Sequence, residues 1–345
     1  MGISHLPGKL APATLAEFLR TYQSFDQQVL VGPEIGVDAA VLDLKGQVLV
    51  ATSDPITFAT DEVGYYAVHI NANDIAVMGG TPRWFLVTLL LPAGNLDRLT
   101  VENIFKEVSE VCHSLRISVV GGHTEVTNGI DRPIICGHML GEVPHGKWLS
   151  SKGARVGDVL ILTKRLCIEG TSLIARERGK EALSRGIPSQ VIERARGFLH
   201  EPGISIIPDA RAVLRSGQVT SMHDPTEGGL SGGIYELARA AGVGILVDAE
   251  AVRTYPETDL LCRVFGLDFL GLIASGSLLL TVPRKSAEVA LDALSDEGIE
   301  AAVIGQVIPK QDGVRLKRGN QVVEMPVYEQ DEIGRLFAGR RDGNA

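Results

Sequence analysis

Three aspartates in the first quarter of the chain stand where a carboxylate could serve a ligand. Asp38 lies among small residues after Gly36 at the head of an apolar segment, and Asp54 follows a second apolar segment and precedes a proline. Asp74 shares a helix face with Asn71, because the two are three residues apart. Mg²⁺ takes a few hard carboxylate oxygens and completes its shell with water and phosphate oxygens. We interpret Asp38, Asp54 and Asp74 together as a magnesium site, although each alone could be a turn residue or a cap.

A pair of glycines, Gly121 and Gly122, follows a predicted strand and leads into His123, Thr124 and Glu125. Because glycine carries no Cβ atom, its backbone can approach phosphate oxygens closely. We therefore expect Gly121, Gly122 and Thr124 to contact a nucleotide at a turn. His123 and Glu125 are candidate catalytic bases. A histidine beside glycines can equally be a hydrogen-bonded structural residue.

A second glycine pair, Gly228 and Gly229, lies where a predicted strand leads into a predicted helix. Backbone N–H groups at a helix N-terminus bind phosphate, so Gly228 and the nearby Asp224 are candidate ligand-binding residues. The alternative is that Asp224 or Thr226 caps the helix. Near the N-terminus, Lys9 could close over the phosphates or remain solvated.

These residues must be positioned by elements that alternate between strand and helix, which predicts an α/β protein. Apolar residues at spacings of three and four from Val101 to Leu115 give the clearest amphipathic helix. A length of 345 residues suggests two domains, 1–150 and 151–335, with the turn at Pro144-His145-Gly146 near the boundary. The other elements predicted for the first domain are a short helix and its exit over 11–31, a helix over 61–78, and strands over 36–42, 47–52, 84–91, 117–120 and 133–140. The second domain is predicted to contain strands over 158–163, 218–222, 243–247, 277–282 and 301–307, and helices near 169, 189–200, 230–241 and 287–295.

Composition excludes several classes of partner. The chain carries 33 basic and 42 acidic side chains, a formal charge of −9, so no basic field is available to attract nucleic acid or anionic lipid. No apolar run reaches the length of a membrane helix, and the N-terminus has no signal-peptide pattern. We expect a cytoplasmic protein with no nucleic-acid and no membrane partner. An anionic ligand would then be held by metal and backbone donors.

Six ordered motifs resemble the aminoimidazole ribonucleotide (AIR) synthetase superfamily over nearly the whole chain. They are GVDAAV (36–41), TSDPIT (52–57), NANDIAVMGG (71–80), GGHTEV (121–126), CIEGT (167–171) and HDPTEGG (223–229). The resemblance implies a PurM-like two-domain α/β (α+β) fold, in which an N-terminal mixed-sheet domain forms a homodimer and a C-terminal α/β domain follows. It also implies ATP in the cleft between the domains.

By the same resemblance, Asp38, Asp54 and Asp74 match acids that bind metal and phosphate. Asn71 and the Gly121-Gly122 turn match residues that contact the nucleotide. Asp224 and Gly228 match the motif of the second domain.

The chain is most similar to the hydrogenase maturation type of this superfamily, with two departures. His123 stands where many relatives carry an acid, which puts a fourth metal carboxylate in doubt. Proteins of that type end in a cysteine that carries a carbamoyl group, whereas this sequence ends in Asn344-Ala345 and its last cysteine is Cys262. We therefore do not expect the cyanide-forming reaction.

The resulting hypothesis is an enzyme that uses ATP and Mg²⁺ to phosphorylate a carbonyl or amide oxygen of an unknown substrate. Two alternatives stay open. The first is a small-molecule kinase like thiamine-monophosphate kinase, and the second is a non-catalytic, nucleotide-sensing dimer.

Overall fold

The computed structural model describes residues 8–22, 26–94 and 97–338. The N-terminal residues used to look for a signal peptide lie mostly outside these ranges. The chain end at Asn344 and Ala345 lies outside them too. Among the helices that are described, none is both long enough and apolar enough to cross a bilayer.

The chain forms two compact units, and neither is a single continuous stretch. The smaller unit contains Asp38–Trp148 and the preceding residues 26–32. The larger unit contains residues 149–338, together with residues 8–22 and Pro33–Val37. Residues 8–22 include helix α1 (Pro12–Leu19).

The smaller unit is built on one six-stranded mixed sheet. Its strand order is β1-β2-β3-β6-β4-β5, and only β4 and β5 pair in parallel. The strands are β1 (Val29–Val31), β2 (Ala40–Asp43), β3 (Val48–Ile56), β4 (Thr81–Pro92), β5 (Ser118–Thr127) and β6 (Ile134–Val143). The helices are α2 (Val63–Val77) and α3 (Arg98–Leu115).

Both helices of the smaller unit confirm the sequence prediction. Every residue of α2 except Tyr65 is buried, because the helix lies between the sheet and α3. In α3 the buried residues Ile104, Val108, Val111 and Cys112 form one stripe, as its spacing predicted. The Asp97 side chain accepts from the Leu99 backbone N–H and caps the first turn.

Two strands of the smaller unit run further than predicted. The prediction that β3 ends before Asp54 is wrong, because the strand continues through Pro55 to Ile56 and pairs with β6 along this length. The prediction of a turn at Gly121-Gly122 is also wrong, because both glycines lie inside β5 and pair with β4. A Cβ atom on Gly122 would overlap the Val87 carbonyl oxygen, so glycine there allows the two strands to approach.

The larger unit contains a seven-stranded mixed sheet in the order β13-β12-β9-β11-β7-β10-β8. Its strands are β7 (Asp158–Thr163), β8 (Ser221–His223), β9 (Gly244–Asp248), β10 (Leu279–Pro283), β11 (Ala301–Ile308), β12 (Val314–Arg318) and β13 (Gln321–Glu324). The helices are α4 (Ile168–Glu177), α5 (Gly179–Ser184), α6 (Ser189–Gly197), α7 (Ile207–Ser216), α8 (Gly229–Ala241), α9 (Pro256–Phe265), α10 (Ala287–Ser295) and α11 (Glu332–Ala338). The central strand β7 is buried along its whole length.

Candidate functional site

The three predicted metal ligands lie on neighbouring elements of the smaller unit. Asp74 on α2 is 5% exposed, and its Oδ2 atom accepts a 2.7 Å hydrogen bond from the Thr52 hydroxyl on β3. The same hydroxyl lies 3.1 Å from the Asp38 carbonyl oxygen, so Thr52 links the two segments. Asp54 lies two residues further along β3 and is half-buried. In the described part of the chain, these three carboxylates do not bring their oxygens within 4.8 Å of one another.

Asn71 holds the strand end that carries Asp54. Its Oδ1 atom accepts from the Asp54 backbone N–H at 3.0 Å, and its Nδ2 atom donates to the Asp54 carbonyl at 3.3 Å. A further 2.8 Å bond joins Nδ2 to the Ala67 carbonyl within α2. Since β2 pairs with β3 only as far as Ala51, the Asn71 amide takes the place of a neighbouring strand beside Asp54. A Cβ atom on Gly137 would overlap this amide, which explains the glycine in β6.

His123 and Glu125 lie on the edge strand β5 rather than in a turn. The residues are two apart and share one side of the strand, with His123 Nε2 at 3.2 Å from Glu125 Oε2. Their side chains are 66% and 50% exposed, so the pair faces solvent in the isolated chain.

The glycine pair of β5 borders a groove on the side of the sheet that the helices cover. The groove has a volume of about 470 Å³ and lies between β4, β5 and α3. Its walls are mostly apolar, and its β5 side includes the three residues predicted to contact a nucleotide, Gly121, Gly122 and Thr124, beside Val119 and His123. Among the lining residues are Leu89, Phe105, Val108, Gly121, Gly122 and Thr124.

In the larger unit, the second glycine pair forms the sharp entry into α8. Gly228 and Gly229 have φ values of +85° and +61°, a conformation that favours glycine. The N-cap residue is Gly228, which has no side chain, so neither Asp224 nor Thr226 is the cap that the alternative required. Instead, the Gly228 N–H donates to Asp331 Oδ2 at 2.7 Å.

Asp331 is buried and was not found by sequence reasoning. Its carboxylate also accepts from the backbone N–H groups of Ile273 at 3.2 Å and Ile333 at 2.7 Å. Burial raises the pKa of Asp331 to about 7, although these three N–H groups act to lower it. The residue follows β13 in a segment with no sequence motif, so no pattern indicated it.

Lys9 lies against the same motif within the larger unit. Its backbone N–H donates to Glu227 Oε2 at 2.8 Å, and its Nζ atom donates to the Thr226 hydroxyl at 3.1 Å. Nζ also pairs with Glu236 Oε1 at 3.5 Å, while His223 Nε2 lies 3.1 Å from Glu236 Oε2. Burial acts to raise the pKa of Glu236, but Lys9 and His223 hold it at about 2. The predicted residues Lys9, Asp224 and Gly228 therefore belong to one region of this unit.

None of the four cysteines forms a disulfide. Cys262 is buried inside α9, and burial raises its pKa to about 12. Burial likewise raises the pKa of Cys112 to about 12. These two side chains are therefore neutral thiols at physiological pH.

The two units together define an AIR synthase-type α/β protein, and comparisons with known proteins agree. Models of the AIR synthase related protein family match residues 36–143 (N-terminal domain) and 155–317 (C-terminal domain). Carbamoyl dehydratase HypE from Rhodobacter capsulatus is 31% identical over 304 residues, which cover 84% of this chain and 86% of that protein. Carbamoyl dehydratase HypE from Escherichia coli K12 is 29% identical over 295 residues, covering 81% and 83%.

Solved structures share the fold. The crystal structure of the hydrogenase maturation protein HypE in complex with ATP matches with a TM-score of 0.69 at 24% identity, and the match covers 95% of this chain and 97% of that one. The chain belongs to the AIR synthase-related family and is HypE-like within it, as its six motifs indicated.

Proposed function

We propose that this protein binds ATP with Mg²⁺ and transfers the γ-phosphate to a carbonyl or amide oxygen of an acceptor. Relatives named carbamoyl dehydratase support an ATP-using enzyme of this family, and a HypE of the same fold has been crystallised with ATP. Positioning and charge neutralisation supply most of the rate in phosphoryl transfer. The observation that carries the proposal is the groove beside Gly121 and Gly122.

The groove suits a nucleotide base on three grounds. Its volume of about 470 Å³ is within the range of small-molecule sites. Leu89, Phe105 and Val108 offer apolar surface on which a base can stack or pack. The wall of Gly121 and Gly122 lacks side chains, and the edge strand β5 has backbone groups on its outer side that no strand of this sheet pairs.

The metal would be held by Asp38, Asp54 and Asp74 in the same unit. Their hard carboxylate oxygens are the donor set that Mg²⁺ prefers, and the Thr52 bond already orients the Asp74 carboxylate. A bound Mg²⁺ neutralises phosphate charge during transfer. Lys9, Asp224 and Gly228 in the larger unit remain our candidates for contacts to the phosphates or the acceptor, and His123 and Glu125 our candidates for acid–base chemistry.

We also propose a homodimer formed through the sheet of the smaller unit. Residues that alternate along β4 and β6 face away from α2 and α3, since their neighbours in the strands, such as Gly137 and Gly141, contact α2. The outward set is half-buried and largely apolar. It includes Trp84, Leu86, Leu90 and Leu140. No described element of the smaller unit packs over this face, and an uncovered apolar sheet face indicates a protein partner. A second copy is the partner that the family resemblance implies.

Binding of ATP to purified variants tests the central claim. We expect Asp54→Asn and Asp74→Asn to weaken Mg-ATP binding by about tenfold or more, as measured by titration calorimetry with and without Mg²⁺. Asp43→Asn on β2 is the matched control and should bind like the wild type. Wild-type affinity in both test variants would refute the metal assignment.

Product analysis then separates the alternatives. Free phosphate formed with an acceptor supports activation of an oxygen, and a stable phosphorylated small molecule supports a kinase. Tight Mg-ATP binding without turnover of any acceptor supports a nucleotide sensor.

A further inference from the structure

In the CIEGT motif at the start of α4, packing and hydrogen bonding explain Gly170 and Thr171 but not Glu169. A Cβ atom on Gly170 would lie 2.6 Å from Leu272 Cγ and 2.7 Å from the Ile273 carbonyl oxygen, so glycine allows α4 to approach that loop. The Thr171 hydroxyl donates to the Cys167 carbonyl at 2.6 Å and lies 2.7 Å from the Thr258 hydroxyl. Neither contact explains a carboxylate between Ile168 and Gly170.

Glu169 is buried without the partners that such a group normally has. Only 6% of the residue is exposed, and its Oε2 atom accepts no hydrogen bond from the described part of the chain. No lysine, arginine or histidine in the described ranges forms an ion pair with it. Buried carboxylates are usually paired, so an open acceptor atom at this depth points to a ligand.

The surroundings of Glu169 are acidic. Burial is the main cause that raises its pKa to about 8, and the nearby carboxylates of Asp331, Glu227 and Asp224 raise it further. The nearby Ser275 hydroxyl is fully buried and acts to lower the pKa of Glu169, and its oxygen has no hydrogen-bond partner in the described part of the chain. A positively charged donor is therefore the kind of group that this environment would stabilise most.

The loop that carries Ser275 is fixed from several sides. The Glu169 N–H donates to the Ser275 carbonyl at 3.2 Å, and the Ala274 N–H donates to the Thr226 carbonyl at 3.3 Å. The partly buried Lys164 ammonium donates to the Gly276 carbonyl at 2.9 Å. These bonds join the start of α4 to the HDPTEGG segment, so Glu169 is held next to the residues proposed to contact phosphates or the acceptor.

We propose that Glu169 and Ser275 form a binding site for a primary ammonium group carried by the acceptor molecule. The ammonium donates to the open Oε2 atom and to the Ser275 hydroxyl oxygen, and its charge offsets the neighbouring carboxylates. The assignment of the ammonium group to the acceptor molecule rests on the proposed function. The preference for a cation rests on the open Oε2 atom of Glu169 and its acidic surroundings.

Three probes of similar size test the charge preference: n-propylammonium, 1-propanol and propionate. Thermal shift and calorimetric titration of the full-length protein should show binding of propylammonium alone. We expect Glu169→Gln to weaken that binding by about tenfold or more, and Ser275→Ala to weaken it several-fold.

Glu257→Gln is the matched control for the loss of a buried glutamate. Glu257 also lies in the first turn of a helix and is 3% exposed, but its Oε1 atom pairs with Arg194 at 3.0 Å. This variant should bind propylammonium like the wild type. Equal binding of propanol or propionate, undiminished binding in Glu169→Gln and Ser275→Ala, or no binding of any probe would overturn the proposal. Mg-ATP titration of the same samples shows separately whether the nucleotide site stands.

Discussion

The two glycine pairs of this chain look alike in the sequence, yet they do different work in the two units. Gly121 and Gly122 lie inside an edge strand, where the second glycine lets β5 approach β4 and both border an open groove. Gly228 and Gly229 form the start of a helix, and the Gly228 N–H is already bonded to the buried Asp331 carboxylate. A glycine pair in the sequence therefore indicates a place where another part of the chain or a ligand can approach the backbone closely. Whether its N–H groups are free for a ligand is decided by distant residues.

The largest difference in unfolding free energy should appear when one glycine of each pair is replaced by alanine. Gly229→Ala places a Cβ atom 2.7 Å from the carbonyl oxygens of Leu270 and Leu272 at a φ of +61°, so we expect a loss of about 3–5 kcal/mol in unfolding free energy. Gly121→Ala meets only the Leu86 side chain at 3.7 Å and should cost less than about 1 kcal/mol. Urea denaturation followed by fluorescence measures both. Equal losses would contradict the contrast between a tight helix entry and an open strand.

The sequence predicted those elements whose pattern of apolar residues lies within a single segment of the chain. α2 and α3 were found because their apolar residues repeat along one segment, and the buried strand β7 because its four inner residues, 159–162, are all apolar. The extension of β3 through Asp54 was missed because its supporting contacts come from β6 on one side and from Asn71, 17 residues away, on the other. The same limit applies to β5, whose glycines are kept in strand conformation by pairing with β4.

The candidate site shows the same division between local and distant information. Lys9, Asp224 and Gly228 were named from sequence, and the structure places them in one region of the larger unit. Asp331 lies 103 residues from Gly228, and no spacing rule connects them. Glu169 was visible as part of a motif, but its unusual environment depends on Ser275 and Asp331, which only the folded chain brings near.

Two buried glutamates of the larger unit should respond to pH in opposite directions. The folded-state pKa of Glu169 is raised to about 8, so wild-type folding loses stability as pH rises from about 4.5 towards 8. The folded-state pKa of Glu236 is lowered to about 2, so its contribution is present above about pH 4.5 and is lost as pH falls towards 2.

Glutamine variants isolate these contributions. Relative to wild type, Glu169→Gln should gain stability as pH rises from 4.5 to 8, by an amount on the order of 2–4 kcal/mol. Glu236→Gln should be less stable at neutral pH by a similar amount, and its deficit should shrink as pH falls towards 2. Denaturation at a series of pH values gives both slopes, and slopes of the same sign would disprove the assigned environments.

The smallest change in unfolding free energy is expected for an exposed acid on β5, in contrast to the buried glutamates of the larger unit. Glu125→Gln removes one partner of a solvent-exposed pair, so it should change unfolding free energy by less than about 0.5 kcal/mol. If Glu125 takes part in acid–base chemistry, the same variant should still lower ATP turnover at least about tenfold. Glu142→Gln removes a partner from the exposed Arg83 pair on the same sheet and serves as the control. Loss of turnover in Glu125→Gln alone, with both variants equally stable, would separate a chemical role for β5 from a structural one. Unchanged turnover would remove Glu125 from the candidate bases and would leave the proposal for the groove unaffected, because Glu125 does not line it.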